Sequence, residues 1–99
     1  MTIDKQADGG KLVVKVSGRL DTMTAPQLEK ELKDSIPGVS QLVLDFADLD
    51  YISSAGLRVV LGAQKAMTAQ NGTMVVRNLN EAVRDVFDIT GFTSILTVE

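Results

Sequence analysis

Two adjacent serines, Ser53 and Ser54, stand just ahead of Gly56 in "DLDYISSAGLRVVLG". Serine in such a place has three chemical uses: nucleophile, helix cap, or acceptor of a phosphoryl group. The nucleophile needs a base, usually histidine, and the chain has no histidine. It also lacks G-x-S-x-G, and Lys65 lies about three helical turns beyond Ser54. A cap needs only that a helix begin there, and serine is among the best N-caps. A phosphoacceptor needs an accessible hydroxyl, and the helix end tolerates the added charge of about −1.5 to −2. Gly56 leaves the first turn without a side chain, open to close approach by backbone or phosphate.

Other chemistry is thinly provided for. Without cysteine there is no thiolate, disulfide or zinc–thiolate site. Asp45, Asp48 and Asp50 are oxygen ligands suited to a hard cation. Strand alternation turns Asp45 away from the other two, so they read as solvated acids and no metal or cofactor is expected. A net charge of −3 without basic blocks argues against nucleic acid, as does the small set of three phenylalanines and one tyrosine. No apolar run approaches the ~20 residues of a membrane span. "MTIDKQADGG" lacks a signal peptide's apolar core, so a cytoplasmic location is expected.

The serines have to be positioned by a fold, and 99 residues suffice for one domain, taken as 1–99. "KLVVKVSG" reads as a strand, with "TIDKQA" before it as an edge strand across an Asp8-Gly9-Gly10 turn. "TAPQLEKELKDSI" reads as a helix capped by Thr24 with Gln27 as its box partner. "SQLVLDF" has the continuous apolar run of a central strand. A helix from about Ser54 to Ala69 follows, with Leu57, Val60, Leu61 and Met67 inward and Asn71-Gly72 as its stop. "TMVVR" is a strand. Asn78 with Glu81 opens a further helix carrying Ala82, Val83, Val86 and Phe87 inward, and "TSILTV" is a last strand. The expected class is α/β: a mostly parallel sheet of about five strands with helices mainly on one side. Met67, Met74 and Phe87 fit core positions, and Met23 fits an exposed loop.

"GRLDTMTAPQLEKEL", "QLVLDFADLDYISSAGLRVVLGAQKAM", "GTMVVRNLNEAVRDVFDITGF" and "ILTVE" together resemble a STAS domain, in particular the free-standing bacterial anti-sigma factor antagonists. The most specific stretch is Tyr51-Ile52-Ser53-Ser54-Ala55-Gly56-Leu57. The resemblance implies that Ser54 is the phosphorylated serine and that Gly56 and Leu57 are the glycine and core leucine after it. Asp21 matches the acidic residue near the kinase-facing surface. Ser53 departs from the family's common aspartate at that place, which leaves open which serine is modified. The expected partner surface comprises Asp21, Thr22, Ser53, Ser54, Gly56 and Arg58. Arg58 joins it by its place on the first helical turn off the apolar stripe, where it reads equally as a solvated arginine. Asp48 and Asp50 stand near in sequence and would add repulsion. The implied partners are an anti-sigma factor that is a serine kinase, with ATP bound by the kinase, and a serine phosphatase. The implied mechanism is partner switching, with no enzyme activity of the chain's own. The rivals are a constitutive STAS scaffold or cytoplasmic partner of a membrane transport system, and a small enzyme or nucleotide binder.

Overall fold

The computed structural model describes all residues, Met1–Glu99. In chain order the elements are β1 (Thr2–Asp8), β2 (Lys11–Leu20), α1 (Ala25–Ser35), β3 (Gln41–Asp45) and β4 (Leu49–Ile52). They continue with α2 (Ser54–Ala69), β5 (Thr73–Arg77), α3 (Glu81–Ile89), α4 (Phe92–Ile95) and β6 (Thr97–Val98). The sheet has six strands, not about five, in the order β1-β2-β3-β5-β6, with β4 paired to β2 off that path. Only the β1–β2 hairpin is antiparallel. The α/β class is therefore as expected, because each return to a parallel neighbour needs a crossover that a helix supplies.

Alternation along the strands sorts the two faces. Leu12, Val14 and Val16 of β2, Leu42 and Leu44 of β3, and Met74 and Val76 of β5 face one way. They join Leu28 and Leu32 of α1, Leu57, Val60 and Met67 of α2, and Val83 and Phe87 of α3 in a core of 23 buried residues. The opposite face carries no helix. There Asp4, Lys15, Asp45 and Arg77 lie opposite one another in register, a row of alternating charge across four strands. Opposite charges on neighbouring strands are the favourable cross-strand pairing.

Three local assignments differ from the reading of the sequence. "TSILTV" is not one strand: Phe92–Ile95 form a helical turn, and only Thr97–Val98 pair with β5. The Phe92 ring meets the Phe87 ring edge-on at 6.1 Å, which draws the segment onto α3. Asn78 does not cap α3. It takes the left-handed conformation (φ 63°) and its Nδ2 donates to Asp45 Oδ1, 3.0 Å away. Asn80 is the cap, accepting the Val83 N–H at 2.8 Å and donating to the Leu49 carbonyl at 2.6 Å. Ala82 is exposed, whereas Val83 and Phe87 are buried.

Candidate functional site

β2 is long enough to serve two neighbours in turn. Lys11–Lys15 pair with β3, while Gly18–Leu20 pair with β4 with a register shift between Gly18 and Arg19. Gly18 adopts φ 93°, which a residue with a side chain rarely tolerates, and its N–H donates to the Asp48 carbonyl at 3.0 Å. Past the last pair, the Ser53 N–H donates to the Leu20 carbonyl at 2.9 Å. That bond sets Ser53-Ser54 beside the Asp21-Thr22 loop at one end of the sheet.

α2 begins there, and its two serines are not equivalent. Ser53 is extended (φ −98°, ψ 175°) and is the N-cap; its Oγ accepts the Gly56 N–H at 3.4 Å. Ser54 is the first helical residue, exposed, with its hydroxyl bonded to no other side chain or backbone group. Gly56 faces inward rather than toward an incoming phosphate. A Cβ there would stand 2.7 Å from Leu20 Cγ and 2.8 Å from Ile52 Cγ1. The missing side chain is what lets α2 seat against the ends of β2 and β4.

The start of α1 also differs from expectation. Thr24 makes no side-chain cap, and Gln27 has no box partner. Asp21 does the capping instead: its Oδ1 accepts the Met23 N–H at 3.0 Å and the Thr24 N–H at 3.1 Å. The Thr24 hydroxyl accepts the Asp21 N–H at 2.9 Å and donates to the Arg19 carbonyl at 2.8 Å. The Thr24 backbone N–H, with help from Met23 and the nearby Arg19, holds the Asp21 carboxyl below its ordinary range. Arg19 Nε lies 3.7 Å from Asp21 Oδ2, and its guanidinium stacks 4.3 Å over the half-exposed Tyr51 ring.

Thr22 and Arg58 come together across a shallow groove between the first turns of α1 and α2, with Pro26 and Glu29 on one wall and Ala55 on the other. Arg58 also lines the deeper α1–α2 groove. Of the expected residues, Thr22, Ser54 and Arg58 are exposed at this end. Asp21 has its carboxylate turned to its own loop, and Gly56 is buried. The site also holds Arg19, Tyr51 and Glu29, which the sequence did not single out as site residues. The available signal was Tyr51, an aromatic ring set between Asp50 and the serines.

Of the remaining acids, Asp50 joins no ion pair, and Asp48 and Asp45 are occupied elsewhere. Asp48 Oδ2 is 3.1 Å from Lys15 Nζ, which raises the lysine's pKa through that bond and its charge. Asp45 projects from the helix-free face. Partial burial pushes its pKa up, but Asn78, the Ala47 N–H and Arg77 outweigh this and hold it low. No group of three potential ligands gathers to hold a metal ion.

The STAS domain family model matches residues 2–99. The chain belongs to the STAS domain family. It is 43% identical over 99 residues to BtrV of Bordetella bronchiseptica, described as a candidate anti-sigma factor antagonist, covering 99% of this STAS domain and 84% of that protein. It is 29% identical over 98 residues to the anti-sigma-B factor antagonist of Bacillus subtilis, covering 99% and 90%. The fold is that of Bacillus SpoIIAA, solved in its phosphorylated form, with a TM-score of 0.78 at 21% identity over 99% of this chain and 91% of that one. No helix of this STAS domain is long and apolar enough to cross a membrane.

Proposed function

We propose that this STAS domain is an anti-sigma factor antagonist, not an enzyme, that works in the cytoplasm by partner switching with Ser54 as the phosphoacceptor. The observation that carries the reading is the division of labour between the serines. Ser53 spends its hydroxyl on the Gly56 N–H, while Ser54 presents a free hydroxyl to solvent at the head of α2. The names of BtrV and the B. subtilis antagonist support the antagonist role, and phosphorylated SpoIIAA supports the modification.

The unphosphorylated surface around Ser54, Thr22, Arg58, Asp21 and Ser53 docks an anti-sigma factor that is a serine kinase, and a sigma factor is freed. The Ser54 hydroxyl then attacks the γ-phosphorus of the kinase's ATP. ADP leaves, the serine proton passes to a base on the kinase, and a serine phosphatase later restores the hydroxyl. A phosphate at Ser54 is solvated in the free protein, but docking would bury it. An unpaired buried charge costs about 2–5 kcal/mol, enough to weaken binding by roughly 30- to 5,000-fold. Gly56 contributes by seating the helix, not by touching the partner.

The test is incubation with anti-sigma kinases and ATP, followed by mass spectrometry and binding measurements. The reading expects phosphate on Ser54 and loss of binding. No phosphate, with unchanged binding by Ser54→Asp, would instead indicate a constitutive STAS module.

A further inference from the structure

We propose that Arg58 is an internal clamp for phosphorylated Ser54, closing onto the phosphate along the surface of α2. The inference rests on the reading of Ser54 as the phosphoacceptor and adds a positioning residue to it. Ser54 and Arg58 are both helical, both exposed, and four residues apart. Residues so spaced share a face of the helix, about 5–6 Å apart at Cβ. The favourable order is acid first and base one turn later, which is the order phosphorylation would create here.

Arg58 is available for this. None of the four ion pairs of the chain includes it: Lys5 is paired with Glu31, Lys15 with Asp48, Arg19 with Asp21 and Arg77 with Asp45. It lines the groove between the first turns of α1 and α2 together with Ala55, the small residue that stands between Ser54 and Gly56 in the chain. The acids that compete for it are few. Glu29 lines the same groove from α1. Asp21, on the loop beside the groove, is held by its own backbone N–H groups and by Arg19. Asp50, on β4, joins no ion pair. A dianionic phosphate outbids a single carboxylate, and the forked guanidinium suits its oxygens better than an ammonium does.

The clamp favours the dianion over the monoanion, so it lowers the second pKa of the phosphoserine. The experiment uses the full chain with phosphoserine genetically encoded at position 54, titrated by 31P NMR at low salt. An exposed phosphoserine titrates near pH 6, and Arg58→Gln is expected to raise the midpoint by about 0.3 unit relative to the unsubstituted chain. Arg58→Lys retains most of the lowering, Glu29→Gln deepens it, and salt near 1 M erases the difference. Equal midpoints with and without Arg58→Gln overturn the clamp. So does an equal shift from Lys65→Gln, which would make the effect one of net charge alone. The phosphate is installed without a kinase, so failure of any kinase to modify Ser54 leaves this result standing. Equal midpoints, while overturning the clamp, likewise leave the Ser54 reading intact.

Discussion

α2 contains two glycines whose replacement by alanine should move stability in opposite directions. Gly56 and Gly62 are both helical, and at both alanine gains about 1 kcal/mol of helix propensity and unfolded-state entropy. At Gly62 a Cβ would meet nothing within 4 Å, so the whole gain is realised. At Gly56 it would meet Leu20 Cγ at 2.7 Å, Ile52 Cγ1 at 2.8 Å and Leu20 Cδ2 at 3.1 Å. Leu20 is 0% exposed and Ile52 2%, so neither can turn aside into solvent. Overpacking of this kind costs about 1–3 kcal/mol, and the larger figures apply where contacts fall below 3 Å. Gly56→Ala should therefore come out about 1–2 kcal/mol less stable and Gly62→Ala about 0.5–1 kcal/mol more stable. Urea unfolding reads both. With a slope of about 1.5 kcal/mol/M, the midpoints should fall by about 1 M and rise by about 0.5 M. The Ser53 amide resonance should also shift in Gly56→Ala, because Leu20 carries its acceptor. Equal stabilisation by both substitutions would refute the account of Gly56 as the seat of the helix.

Ser53→Ala should cost about 0.5–1 kcal/mol through loss of the cap, whereas Ser54→Ala should stay within about 0.5 kcal/mol by thermal melting. In a kinase assay the second should abolish phosphate incorporation and the first should not. Asn80→Ala removes both the α3 cap and the donor to the Leu49 carbonyl. It should cost about 1–2 kcal/mol and lower Tm by about 5–15 °C. Asp21 has a folded pKa below its ordinary 3.8, so the stability it lends is complete above that value and is lost as pH falls through the folded one. Asp21→Asn should flatten the acid limb of a stability–pH profile and leave the slope due to Glu31 and Asp45, which are also held low.

What was legible in the sequence followed periodicity and position. The helix of Ser54–Ala69 stood out because Leu57, Val60, Leu61 and Met67 recur at helical spacing and the turn at Asn71 stops it. Leu61, however, lies half-buried at the edge of the stripe and outside the core. The helix start left Ser53 and Ser54 interchangeable as caps, and only the resemblance to STAS domains pointed to Ser54 as the phosphoacceptor. β4 was not legible, since its four residues run buried, exposed, exposed, buried and so lack alternation. It exists because β2 runs on to Leu20 beyond its last β3 pair, Lys15 with Asp45, and offers a free edge there, a non-local cause. "TSILTV" misled through its β-branched residues, a weak preference that the Phe87–Phe92 contact overrides. Asn78 and Asn80 are the same residue type two apart, and what separates them is non-local: Asp45 takes the amide of Asn78 and the Leu49 carbonyl takes that of Asn80. Gly56 had the same difficulty: a glycine declares that space is needed without saying on which side.

The two-partner course of β2 bears on timing. One unbroken strand runs from the middle of the core to the carbonyl that holds Ser53, so the floor of the site cannot loosen without disturbing the centre of the domain. Amide hydrogens of Leu20 and Ser53 should thus exchange with solvent nearly as slowly as those of Val14 and Leu44. In the proposed switch, a surface so anchored would dock and release without first reordering its floor. Its tempo would then be set by how fast a phosphoryl group is added or removed, and the memory of the last signal would last only as long as that ester bond.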